Sequence, residues 1–106
     1  MRVRPRRSRA AIAALTGVIA RYGPDMARSR SFCLAMLALD HLIEGELERG
    51  AEIGTEAVDT AETLKSVRTK DRLRPLKLEA DKHRDHADVR ALADHITAFA
   101  VSSTHI

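Results

Sequence analysis

Apolar residues recur along this chain at intervals of three and four, the spacing of helices rather than strands. Ile12, Leu15, Val18 and Ile19 share one face of a segment from Ala10 to Tyr22. Gly23 and Pro24 end it, because Gly suits the left-handed position after a helix and Pro cannot continue the ladder. A second helix is predicted from Asp25 to Glu44. Its row of Phe32, Met36, Leu39 and Ile43 is widened by Cys33, Leu34, Leu37, Ala38 and Leu42 to more than half the circumference. A stripe that broad predicts neighbours on two sides.

Gly45 breaks this helix and a third is predicted from Leu47 to Leu64. Gly50 and Gly54 lie inside it, each at a cost of about 1 kcal/mol relative to Ala. Two glycines one turn apart predict that another backbone comes close to that face. A fourth helix, Ser66 to Ala80, contains Pro75, which predicts a kink or break near Arg72–Arg74. The polar run Asp81 to His86 predicts a loop. The last helix is predicted from Ala87 to Val101, with Asp85 as its cap and Asp88 three residues on, and residues 102–106 are expected to fray.

Composition narrows the class. The chain has 106 residues, room for one small domain, and runs of strand-favouring residues are missing. Alanine supplies 17 residues, while only Tyr22, Phe32 and Phe99 are aromatic, so thin side chains favour close helix–helix approach. The single cysteine, Cys33, excludes an internal disulfide and reads as a buried, inert thiol of a cytoplasmic protein.

The net charge of +3 divides unevenly. Arg2, Arg4, Arg6, Arg7 and Arg9 precede residue 10, leaving 13 basic against 15 acidic residues in the rest. The body is therefore mildly acidic, and residues 1–9 read as a disordered basic arm. A phosphate-binding use of that arm is the alternative function, although no aromatic residue interleaves the arginines for base stacking. A secretory reading of Ala10 to Ala20 is disfavoured by Thr16, Gly17 and the poor cleavage context at Arg21 to Pro24. No stretch reaches the roughly 18 apolar residues that span a bilayer.

Candidate chemistry is sparse. His83, His86, Asp81 and Asp85 lie within six residues, but a polar linker explains them better than a metal centre. His41 and His95 each follow an aspartate directly, and adjacent helical residues point in different directions. Phosphate loops, nucleophile elbows and paired carboxylates are missing, so neither catalysis nor a cofactor is expected. Glu44, Glu46, Glu48, Glu52 and Glu56 read as a solvated acidic band.

Leu34, Leu37, Ala38, His41, Gly45, Gly50 and Ala57 stand at the signature offsets of a tetratricopeptide hairpin, which this stretch resembles. More widely, Leu37-Ala38, Gly45-Glu46, Gly50 through Ala57 and Ser66-Val67-Arg68 occur in the order found near the end of actinobacterial helix-turn-helix regulators of the phage-repressor (XRE) type. The resemblance covers about residues 25–99. Gly54 departs from it where a large residue is usual, as does Glu62 where Pro is frequent, and no helix-turn-helix segment fits into residues 1–24.

The resemblance implies an all-α stack of antiparallel hairpins over residues 10–101, with a docking role for a peptide or partner protein inside a transcription-regulatory system. The expected groove lies between the second and fourth helices, with Arg30, His41, Arg68 and Arg72 at its rim. Apolar surface left uncovered by missing repeats would favour a homodimer. Nucleic acid would be reached only through the arm or a further domain.

Overall fold

The computed structural model describes the backbone of residues 5–21, 26–64 and 71–104, and the side chains of 10–21, 26–64 and 71–101. These residues form an all-α protein of five helices: α1 (Pro5–Arg21), α2 (Ala27–Ile43), α3 (Leu47–Leu64), α4 (Arg74–Asp81) and α5 (Ala87–Thr104). α2 and α3 form an antiparallel hairpin. Ser31 Oγ donates to the Ala57 carbonyl at 3.2 Å near the open end, while Gly50 lies against Leu42 and Ala38 near the turn. α3 also packs on α5, α5 on α4, and α4 back on α2, closing a ring of four helices. α1 lies on α2, with Ile12, Leu15 and Ile19 half-buried against the core.

The hairpin turn is built from hydrogen bonds that cap α2. The Gly45 N–H donates to the Leu42 carbonyl at 3.0 Å and the Glu46 N–H to the His41 carbonyl at 2.9 Å. This pair of bonds is the Schellman arrangement, and it needs a left-handed residue after the cap. Gly45 supplies it at φ +86°. Glu46 then starts the next helix, its carbonyl accepting from the Gly50 N–H at 2.9 Å. α2 and α3 are thus joined by three residues.

Both glycines of α3 sit at close approaches. A Cβ on Gly50 would lie 2.6 Å from Leu42 Cδ2 and 3.2 Å from the Ala38 carbonyl oxygen. On Gly54 it would lie 2.6 Å from Leu92 Cδ2, so this glycine admits α5 rather than α2. The core continues through Ala57, Val58, Ala61, Leu73, Leu76, Ala80, Val89 and Leu92. Alanine, glycine and leucine let the backbones draw together and fill what remains.

Several boundaries differ from expectation. α1 begins at Pro5, so residues 5–9 have helical backbone where a disordered arm is predicted. Pro is compatible with a first turn because its missing N–H has no partner there, and Arg is a good helix former. α5 reaches Thr104 instead of fraying from residue 102, since no Gly or Pro interrupts it. The predicted break at Pro75 is present: α4 starts at Arg74 with Pro75 in its first turn and Leu73 at the cap. The start of the predicted fourth helix at Ser66 lies outside the described residues. The Arg90 N–H donates to the His86 carbonyl at 2.9 Å, which puts His86, not Asp85, at the start of α5. Among the described residues no helix is long and apolar enough to cross a membrane.

Candidate functional site

Most of α2 is covered, yet one row along it is not. Phe32, Met36 and Ile43 are 37%, 40% and 46% exposed, and Leu39 between them is half-buried. The four follow one another at steps of four, three and four, which places them on a single narrow stripe of the helix. No ionisable residue other than Cys33, which is half-buried, lies between Ser31 and Leu39. The sequence pattern identifies this row and assigns it to contacts with neighbours. Instead α1, α3 and α4 pack around it and leave it open.

The ends of the row carry opposite charge. Arg28 lies one turn before Phe32, and the Arg72 guanidinium stacks over the Phe32 ring, 4.6 Å from its centroid. Such a cation held over an aromatic face is favourable by about 0.5–1 kcal/mol at an exposed site. At the other end stand Asp40 and Glu44. Partial burial raises the Asp40 carboxyl above its ordinary range; neighbouring His41 opposes this and Glu44 adds to it.

Of the expected groove residues, the three described ones point to different partners. Arg30 turns toward α3 and pairs with Glu56 at 2.8 Å. His41 belongs to the hairpin turn: it is 9% exposed, and its Nδ1 is hydrogen-bonded to Glu46 Oε1 at 2.6 Å. His41 and Glu46 occupy the two positions that frequently make an apolar contact in this cap, and here a polar pair replaces it. Arg72 alone stands beside the α2 row. Arg68 lies outside the described residues, as do the side chains of Arg2, Arg4, Arg6, Arg7 and Arg9. The signature positions Leu34, Leu37, Ala38, Gly50 and Ala57 are all buried in the hairpin, and Gly45 forms its turn.

Two other places gather polar groups. An open cleft of about 620 Å³ at the hairpin turn is lined by His41, Glu46, Arg49 and His86, among others. His86 Nδ1 is buried there without a hydrogen-bond partner. On the far side of the ring, His95 of α5 lies 3.7 Å from Asp59 and 3.4 Å from Glu62, both on α3. These three are the described residues whose donor atoms converge closely enough to hold a metal ion. Both carboxylates are exposed, and a protonated His95 would pin α3 to α5 with no metal. Sequence spacing joins Asp59 to Glu62 but gives no signal for His95, which arrives through the packing of α5.

The polar loop after α4 is tied down instead of forming a site. Asp81 accepts from Lys77 at 2.8 Å and from Arg84 at 3.0 Å, and Arg84 also donates to Asp94 at 2.8 Å. The bond from Lys77, then that from Arg84, holds the Asp81 carboxyl below its ordinary value. The two aspartates raise Arg84. His83 lies 3.5 Å from Glu79, and the four residues weighed as a metal cluster are not among the described groups whose donor atoms converge.

The architecture defines the class, an all-α helical domain with one face of its second helix uncovered. No protein-family model, curated protein or solved structure matches the chain.

Proposed function

We propose that this protein is a docking module that receives an amphipathic helix of a partner on the outer face of α2. The observation that carries the reading is the open row of Phe32, Met36, Leu39 and Ile43, flanked by Arg72 at one end and Asp40 at the other. Steps of four, three and four are those by which one helix packs along another. Burying such side chains supplies affinity, and charges at the rim set the direction. The fitting ligand has apolar residues at the same steps and a carboxylate near the end that meets Arg28 and Arg72. The resemblance of residues 25–99 to the ends of helix-turn-helix regulators supports placing this docking in a transcription-regulatory system.

The test uses a designed, fluorescently labelled helical peptide with leucines at those steps and glutamates beside one end. Saturable binding by fluorescence anisotropy is expected, with a loss of at least tenfold in Met36→Glu. Binding that is unaffected by Met36→Glu and by Ile43→Lys overturns the reading.

A further inference from the structure

The outer row of α2 reads the same in both directions, since reversing steps of four, three and four returns them unchanged. Met36 and Ile43 are seven residues apart, as are Phe32 and Leu39, so the row is a heptad seam of the kind that joins two helices. A seam that is its own mirror in spacing fits a second helix running the opposite way. Phe32 would then meet Ile43, and Met36 would meet Leu39, each large residue facing a smaller or more flexible one.

Charge selects the same arrangement. The row is basic at its start, with Arg28 and Arg72, and acidic toward its end, with Asp40. An antiparallel copy brings the basic end of each protomer beside the acidic end of the other. A parallel copy would set arginine against arginine and carboxylate against carboxylate, which costs affinity and suppresses that pairing. A two-fold contact requires a self-complementary patch, in which each residue's partner finds the reciprocal partner. This row meets that requirement in both spacing and charge.

We propose that the occupant of the docking face is a second copy of this chain, with α2 packed antiparallel on α2 about a two-fold axis between Met36 and Leu39. This rests on the reading of that face as a helix-docking surface. The seam spans about 17 Å of helix at 1.5 Å per residue. A contact of that length lies at the small end of specific interfaces, so the dimer forms and dissociates with concentration.

Sedimentation velocity of the full chain over a hundredfold range of concentration tests the proposal. A monomer that converts to a dimer as concentration rises is the expected result, and Met36→Glu and Ile43→Lys should each remain monomeric with unchanged helical circular dichroism. Orientation is read by oxidation in a Cys33→Ser background. Phe32→Cys mixed with Ile43→Cys should give the mixed disulfide, and neither variant alone should cross-link. A wild-type chain that stays monomeric yet binds the designed peptide overturns the second copy alone. One that stays monomeric and does not bind the peptide overturns the docking face as well. Cross-linking of Phe32→Cys to itself overturns the antiparallel arrangement.

Discussion

Leu42 and Ile43 are neighbours on one helix and equal in side-chain size, yet Leu42 is 1% exposed and Ile43 46%. The two faces of α2 they represent are both apolar but differently made. The inner face relies on small residues and one large anchor per turn: Ala38, Leu42 and, across from them, Gly50, with backbones drawn close. The outer face consists of Phe32, Met36, Leu39 and Ile43, longer side chains with room to adjust. Thin side chains fix one neighbour at one distance, whereas long ones await a surface that the chain itself does not supply. A helix apolar over more than half its circumference calls for neighbours on two sides, and this fold covers only part of that stripe.

The comparison can be broken by mutation. Its largest expected effect is Leu42→Ala, which should lower unfolding free energy by about 3 kcal/mol in chemical denaturation, the usual cost of emptying a buried leucine site. Gly50→Val should follow at about 2 kcal/mol, because its Cβ would press on Leu42 Cδ2 and on the Ala38 carbonyl oxygen. On the outer face Ile43→Ala should cost less than about 1 kcal/mol, as its side chain is already largely in water. Arg72→Gln, which removes the cation over Phe32, should cost about 0.5 kcal/mol by the same measurement. If Ile43→Ala cost as much as Leu42→Ala, the outer row would be part of the core and its docking role would fall.

The smallest effects are on pH dependence, one at Asp81 away from α2 and one at Asp40 beside its outer row. Asp81 has its carboxyl pKa lowered from the ordinary 3.8 by Lys77 and Arg84. Its contribution to stability is therefore fully present above 3.8 and is lost as pH falls below that value through the lowered one. Asp81→Asn should destabilise the protein slightly at neutral pH and flatten thermal stability between pH 4 and pH 2 (roughly the span of a carboxylate's titration). Asp40, raised by burial, works in the opposite sense. Its contribution is largest below 3.8 and fades as pH rises through its raised value, so Asp40→Asn should gain slightly at neutral pH.

Local signals made much of the fold legible. α3 runs from Leu47 to Leu64 as its apolar period predicts, and Gly45 and Pro75 punctuate the chain where their backbone chemistry requires. Less legible was which apolar face of α2 would find a neighbour, because periodicity counts apolar residues without knowing where other helices end up. The approach of Leu92 to Gly54 and of His95 to Asp59 and Glu62 depends on α5 folding back across more than 30 residues. Likewise His41 matches a signature offset of the hairpin by spacing, but its partner, Glu46, is set by the cap that Gly45 permits. Nothing in the spacing of Arg30 revealed that it would face Glu56.

The three-residue connection around Gly45 also bears on how the chain acquires its structure. Closing so short a loop takes little entropy from the chain, while bringing α5 onto α3 takes considerably more. The α2–α3 pair should accordingly organise in the rate-limiting step, with α4 and α5 condensing upon it afterwards. Substituting Gly45 with a residue that resists positive φ should slow refolding in stopped-flow experiments, whereas truncating Val89 should chiefly hasten unfolding.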